Sequence, residues 1–206
     1  YDPIRKNSGG FENMITMMNA GSDDQYAGGG GETDGVGIQS FSNYSQSGFT
    51  VPRSFWSDHY QGIFRTNILV KKLPDVPMDA AKKTRFVAEA KALRALYYFN
   101  LVRMFKNIPL ILDPVDPTQM YNITQATPAD VYKQIEADLV AAINDLPATV
   151  TSSELGRLSK GAAKALLGKV YLYDGKKAEA AAQLADVNGT PGGTSQYGYK
   201  LLSNFA

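Results

Sequence analysis

The feature that most constrains this fold is a long apolar run that recurs at helical spacing on more than one side of the chain. It lies in a helix predicted over residues 79–106, which Pro109 closes before a short extended segment, 109–112. One stripe repeats at steps of three and four, with members Phe86, Ala90, Leu93, Tyr97, Leu101 and Met104. Other large apolar residues fill much of the remaining circumference, namely Leu96, Phe99, Val102 and Phe105. A surface helix needs only one stripe, so this helix is predicted to lie between neighbouring helices.

A second pair of helices carries the spacing of a tetratricopeptide repeat. Its first helix is predicted from a cap at Ser159 to Asp174, and its second covers residues 177–187. The pair contains Leu-Gly-x-x-Tyr at 167–171, followed by Ala180 and Leu184. Small residues at Gly168 and Ala180 are expected to allow close approach of the two helices. Repeat arrays stack such pairs, which explains why a helix would be apolar on two sides.

Three further segments also show helical signals. They are residues 11–20, with apolar Phe11, Ile15 and Met18; a helix that begins after Pro52 and ends at Pro74; and a helix from the Thr127-Pro128 start signal to Pro147. The predicted fold class is therefore mostly α, with tetratricopeptide-like stacked helix pairs forming an α-α superhelix. Predicted core residues are Leu93, Tyr97, Tyr98, Phe99, Leu101, Leu167 and Tyr171, and the helical register of Trp56 also favours packing.

A long polar loop, residues 21–53, interrupts these helices. It is rich in Gly, Ser, Asn and Gln, and it carries aromatic residues without helical periodicity at Tyr26, Phe41, Tyr44 and Phe49. A sugar ring offers an apolar C–H face to aromatic rings and hydroxyl groups to polar side chains such as Asn43. The loop is therefore predicted to be an irregular binding loop, with Tyr26 and Tyr44 as the foremost stacking residues.

Composition excludes several classes of function. The 206 residues carry a formal net charge of +1 with scattered Lys and Arg, so no nucleic-acid surface is indicated. Without cysteine, and with His59 as the only histidine, neither thiol chemistry nor a His-rich metal site is available, and His59 is expected on a solvated face. Four loop carboxylates lack the spacing of an EF-hand and are interpreted as solvated, namely Asp23, Asp24, Glu32 and Asp34. No catalytic residue, metal or cofactor is predicted.

Arg94 is a charged residue within the apolar stretch LRALYYF (93–99) of the long helix. A buried guanidinium normally has a carboxylate partner, and either Asp138 or Glu89 is expected to provide it. An ion pair of this kind is interpreted as structural rather than as an anion-binding site.

Taken together, the motifs resemble the SusD/RagB family, the surface glycan-binding lipoproteins of Bacteroidota. The stretch AEAKALRALYYFNLVRMFKNIPLIL (88–112) is similar to that family's signature, although Asn107 stands where Gly is usual. The other similar stretches follow in the family's order and are SDDQY (22–26), FWSDHYQGIFRTNILV (55–70), TPADVYKQIEADLVAAINDLP (127–147), GRLSKGAAKALLGKVYLY (156–173) and YGYKLLSNFA (197–206).

The resemblance implies a role and a location. It implies that residues 1–206 form an N-terminal SusD-like domain, with the C-terminal half of the family fold absent. The implied function is capture of an oligosaccharide or polysaccharide at the outer-membrane cell surface and its delivery to a TonB-dependent transporter of the SusC type. Membrane attachment would come only from a lipid anchor outside this chain. The alternative is a tetratricopeptide adaptor that binds proteins and no glycan. The candidate glycan-binding residues are Tyr26, Tyr44, Phe41, Phe49 and Asn43.

Overall fold

Helices make up most of the described chain, as the sequence predicts. The computed structural model describes residues 14–200 together with Tyr1 and Ile4. In chain order the elements are α1 (Met14–Ala20), α2 (Val36–Ser42), α3 (Arg53–Lys72), α4 (Ala80–Phe105), β1 (Ile108–Pro109), β2 (Gln125–Ala126), α5 (Pro128–Asp145), α6 (Lys160–Tyr173) and α7 (Lys177–Asn188). Short 3-10 helices occur at Leu73–Asp75, Pro117–Asn122 and Ser152–Glu154.

The chain divides into two compact units, Tyr1–Gly62 and Ile63–Ala206. Helices α1 and α2 contact each other in the first unit. The second unit contains α4 to α7, in which each helix contacts the next along the chain, and β1 pairs with β2 in antiparallel register, Ile108 opposite Ala126. The predicted extended segment at 109–112 is thus shorter than expected and begins one residue earlier.

Helix α4 is buried on two sides, which confirms the first prediction. Its N-cap Asp79 accepts a hydrogen bond from the Lys82 backbone N–H at 2.9 Å. The helix contacts α5 and, less extensively, α6. Buried residues occur both in the predicted stripe and outside it; they include Leu93, Tyr97, Leu101, Tyr98, Phe99 and Val102. Since neighbours cover both sides, the helix needs apolar residues on both.

Helix α5 begins and ends where its capping residues predict. The Thr127 hydroxyl oxygen accepts a hydrogen bond from the Asp130 N–H at 3.2 Å, and Pro128 occupies the first turn, where its missing N–H costs nothing. One side of this helix carries a stripe of apolar residues at steps of three and four; its buried members are Val131, Ile135, Leu139 and Ala142, and buried Leu146 follows the helix directly. With this stripe and its flanks, α5 contacts both α4 and α6.

The pair α6–α7 has the close approach expected of a tetratricopeptide repeat. A Cβ atom added at Gly168 would lie 2.7 Å from Leu184 Cγ, so only glycine fits there without displacement of Leu184. Ala180 on α7 is buried, and Gly175 turns the chain between the helices with φ of 80°. Tyr171 is only half-buried, contrary to its predicted core position, because it lies on a side of α6 that is partly open.

Arg94 is buried and pairs with Asp138, one of the two predicted partners. Its Nε and Nη2 atoms donate to the two Asp138 carboxylate oxygens at 2.8 and 2.7 Å, and its Nη1 donates to Asn67 Oδ1 at 2.8 Å. These bonds join α3, α4 and α5. Glu89 instead accepts hydrogen bonds from Arg85 and Arg157. The interpretation of Arg94 as a structural residue agrees with this arrangement.

In the first unit, several predictions of which helical residues are buried are wrong. In α1, Met17 and Ala20 are buried while Ile15 and Met18 are exposed, and Phe11 lies outside the described residues. In α3, Phe55 is buried and Trp56 is only half-buried, with its ring 4.8 Å from that of Tyr60. His59 is also partly buried rather than solvated.

Candidate functional site

The segment 21–53 is more ordered than an irregular loop, because it contains helix α2. Gly35 precedes that helix with φ of 67°, a left-handed conformation that glycine adopts without steric cost. Phe41 on α2 is buried and lies near Gly21 at the end of α1. The prediction of Phe41 as a glycan-binding residue is therefore corrected: its ring is used in packing and has no face available for a sugar.

Tyr44 has an unusual backbone conformation just after α2. The Ser45 N–H donates to Ser40 O at 2.9 Å and the Tyr44 N–H donates to Phe41 O at 3.3 Å, the two hydrogen bonds of a Schellman helix ending. Tyr44 occupies the left-handed position of this motif with φ of 52°, where glycine is usual. A tyrosine there costs about 1–2 kcal/mol relative to a relaxed conformation. Unfavourable conformations of this kind are often kept at functional sites.

The Tyr44 side chain is held by its hydroxyl group while its ring remains exposed. The hydroxyl donates to Gly21 O at 2.9 Å, across 23 residues of chain. The side chain is nevertheless 74% exposed. A ring that is fixed at one end loses little freedom when a ligand stacks on it, which is the geometry expected of a preorganised contact.

Tyr26 and Asn43 line the same shallow depression, which has a volume of about 330 Å³. Its other lining residues are Ala27, Gly28, Gly29, Gly31, Glu32 and Gln39. Tyr26 is 81% exposed and Asn43 is also exposed, so both side chains are accessible from solvent. Phe49 is exposed as well, in a turn where its N–H donates to Ser47 Oγ, but it does not line this depression.

Gln39 fixes the glycine-rich side of the depression and was not predicted as a site residue. Its Nε2 donates to Asp34 O at 2.6 Å and to Gly31 O at 3.2 Å, while the Gly30 N–H donates to Asp34 Oδ2 at 2.9 Å. A Cβ atom at Gly29 would lie 3.1 Å from Gln39 Nε2, so the glycine permits this close approach. The amide-rich composition was the available signal, but it could not distinguish Gln39 from its neighbours.

The same region offers no constellation for metal binding among the residues that the structure describes. No group of three or more His, Asp or Glu side chains in these residues is placed to hold a metal ion. Asp34 is instead used in the hydrogen bond to Gly30. What the region can do chemically is stack aromatic faces on a ligand and meet its polar edge with amide and backbone groups. Within residues 14–200, no helix has the length and apolar character required to cross a membrane.

A family model described as "Starch-binding associating with outer membrane" matches residues 34–172 of the chain. Among curated proteins, SusD-like protein P2 of Formosa agariphila is 35% identical over 129 residues, which is 62% of this chain and 25% of the relative. A SusD-like protein of Bacteroides ovatus is 32% identical over 124 residues, or 57% of this chain and 21% of the relative.

Solved structures agree with these sequence matches. A structure entitled "Laminarin binding SusD-like protein" is 61% identical, with a TM-score of 0.94, and the match covers 99% of this chain and 44% of that protein. Surface glycan-binding protein A from Bacteroides uniformis has a TM-score of 0.81 at 25% identity, over 93% of this chain and 44% of that protein.

The chain spans less than half the length of these relatives, and about a quarter of the curated ones. The family consists of carbohydrate-binding proteins that are not enzymes and that associate with the outer membrane, in agreement with the predicted absence of catalysis. Because the family model covers more than half of the sequence and the helical fold agrees, this chain belongs to the SusD-like family.

Proposed function

We propose that this chain contributes a glycan-binding surface to a cell-surface protein, and that the surface lies in segment 21–53. The observation that carries the proposal is the arrangement of Tyr26 and Asn43 on one exposed depression, with the exposed Tyr44 ring next to Asn43 in the chain. Aromatic rings bury the C–H face of a sugar, and the amide meets its hydroxyl groups. Phe49 remains a candidate for a peripheral contact.

Laminarin is the first ligand to test. The similar structure at 61% identity is described as laminarin binding, and it covers nearly the whole of this chain. Shared sequence at that level supports a related ligand here. Ligand contacts from parts of the protein beyond these 206 residues are expected to contribute to affinity.

The captured glycan would be delivered to a TonB-dependent transporter of the SusC type. The family description, association with the outer membrane, supports a location at the cell surface. Two points remain predictions from the resemblance. One is attachment through a lipid anchor outside this chain, and the other is that the chain forms the N-terminal portion of the protein. Recovery of such a transporter with the tagged protein from outer-membrane extracts is the expected result. Repeated recovery without one would contradict the delivery step.

The binding site can be tested by titration calorimetry of the intact protein with laminarin. Tyr26→Ala should weaken binding by about 1 kcal/mol, or roughly fivefold in Kd. Tyr44→Gly should weaken binding similarly with little net change in stability, because relief of the left-handed backbone conformation offsets the loss of the hydroxyl hydrogen bond to Gly21 O. The unfolding free energy of this variant is measured beside its affinity, so that a loss of affinity without a loss of stability cannot be attributed to unfolding.

Leu155→Ala provides the control for removal of an exposed apolar side chain, since Leu155 is 75% exposed and lies in the other unit. It should bind laminarin like the wild type. If the Tyr26→Ala, Tyr44→Gly double variant also binds like the wild type, segment 21–53 is not the site. If the wild type binds no polysaccharide from a broad panel, the proposed function itself is wrong.

A further inference from the structure

The chain between β1 and β2 presents a second exposed aromatic surface, in the second unit. Its centre is the 3-10 helix Pro117–Asn122, in which no residue is buried. Tyr121 is 98% exposed and Met120 is 59% exposed. Neither side chain contributes to the core that residues 14–200 form, so packing within the described part of the chain does not account for these residue types.

The base of this segment is fixed to buried groups. The Ile111 N–H donates to the Tyr98 hydroxyl at 2.7 Å, and Ile111 O accepts from Asn67 Nδ2 at 2.9 Å. Arg94 Nη1 donates to Leu112 O at 3.2 Å. The pairing of β1 with β2 closes the two ends of the segment. The exposed residues therefore belong to a segment whose ends are fixed by hydrogen bonds, and not to a free loop.

The 3-10 helix has hydrogen bonds of its own. Asp116 Oδ1 accepts from the Thr118 N–H at 2.8 Å and from the Thr118 hydroxyl at 2.6 Å. These two bonds satisfy the start of the helix, so Asp116 has a structural role there. Asn122 Nδ2 donates to Gln119 Oε1 at 3.0 Å. That bond leaves the Gln119 amide nitrogen and the Asn122 carbonyl oxygen for a ligand.

The charged residues between β1 and β2 favour some classes of ligand over others. No Lys or Arg occurs in residues 107–132, whereas Asp113 and Asp116 are both present and exposed. A phosphate, a nucleic acid or an anionic polysaccharide would find no Lys or Arg within the segment, and Arg94 at its base is buried and already paired with Asp138. A neutral sugar does not require a cationic partner. It requires an apolar face and hydrogen-bonding groups beside it, as found around Tyr26 and Asn43 in the first unit.

We propose that Pro117–Asn122 is a second carbohydrate-contact surface, at which Tyr121 stacks on the C–H face of a neutral sugar ring and the Gln119 and Asn122 amides meet its hydroxyl groups. This inference rests on the proposed glycan-binding function and extends it to the second unit. Tyrosine suits the role because its ring offers a large contact area with few rotatable bonds to fix.

The test uses the intact protein with the first surface removed by Tyr26→Ala and Tyr44→Gly. The tyrosine rings are labelled with ¹³C, and laminarin oligosaccharides are titrated while NMR spectra are recorded. The Tyr121 resonance, assigned by its loss in Tyr121→Phe, should shift with added sugar. Adding Tyr121→Ala to this background should weaken the remaining binding about three- to tenfold, whereas Tyr121→Phe should retain it.

The outcomes separate this inference from the function on which it rests. If the wild type binds laminarin but the Tyr121 resonance does not shift and Tyr121→Ala has no effect, the second surface is wrong and the proposed function stands. If Tyr121→Ala reduces only the recovery of a partner protein, the segment is a protein contact and the carbohydrate assignment fails. If the wild type binds no saccharide, both proposals fail together.

Discussion

Arg94 is a residue whose charge is buried and whose partners come from three helices. Its side chain is 7% exposed, and the guanidinium donates to Asp138 with two hydrogen bonds and to Asn67 with one. Burial opposes the charged form, but the bonds and charge of Asp138 outweigh it, and the pKa of Arg94 is raised. The Arg94 guanidinium is therefore charged in the folded protein at any ordinary pH.

Removing one partner of this pair should be strongly destabilising. Asp138→Ala leaves a buried guanidinium without its counterion, and the expected loss is about 3–5 kcal/mol in the free energy of unfolding, measured by urea denaturation. The double variant Arg94→Met, Asp138→Leu should lose less, because no charge remains buried. Lys176→Gln, which breaks the more exposed pair with Glu136, should cost about 1 kcal/mol or less. Equal losses for Asp138→Ala and Lys176→Gln would contradict this account.

His59 should make stability depend on pH. Burial lowers the pKa of His59, and a hydrogen bond from Nδ1 to Phe55 O and the charge of Asp58 only partly oppose this effect. The folded-state pKa therefore lies below the unfolded value of 6.5. As pH falls below about 6.5, the unfolded chain binds the proton first, so stability decreases.

The matched variant is His59→Gln, which cannot titrate in this range. Its unfolding free energy should change less than that of the wild type between pH 7 and the onset of carboxylate titration near pH 5. Because His59 is the only histidine in the 206 residues, no other imidazole of this chain contributes to the difference. Identical pH profiles would show that His59 titrates alike in both states.

At the scale of elements, the separation of α6 and α7 is set by single small residues. Gly168→Ala would raise helix propensity, yet its Cβ would lie 2.7 Å from Leu184 Cγ. The expected net effect is a loss of about 1–3 kcal/mol in thermal or urea unfolding. Leu184→Ala should be less destabilising in the Gly168→Ala background than alone, since it removes the clash. Lys169→Ala, an exposed change on the same helix, should be nearly neutral.

Helix boundaries in the second unit follow local signals, which is why they were predictable. Asp79, Thr127 and Ser159 each accept a hydrogen bond from a backbone N–H within the first turn that follows. Such caps act over three or four residues, so the sequence contains them directly. The buried face of α1 was predicted wrongly, because a seven-residue helix has too few turns for its apolar spacing to identify one face.

At the scale of the whole molecule, charge is nearly balanced. The chain has 21 basic and 20 acidic residues, and the proposed ligand is a neutral polysaccharide. Binding should then release few counterions, and the Kd for laminarin should be nearly constant across a series of NaCl concentrations in titration calorimetry. A steep loss of affinity with salt would point to an anionic ligand instead.

The sequence alone determined the helical fold, the repeat-like pair α6–α7 and the family, because caps, apolar periods and ordered motifs are local patterns that survive in the chain. It also restricted the partner of Arg94 to two carboxylates, and only the packing of α4 on α5 selected Asp138 over Glu89. In segment 21–53 the aromatic residues follow no helical or strand periodicity, so their positions in the sequence do not predict which of them are buried. Tertiary contacts there decided that Phe41 is buried while Tyr26 and Tyr44 are exposed, since burial depends on residues distant in sequence.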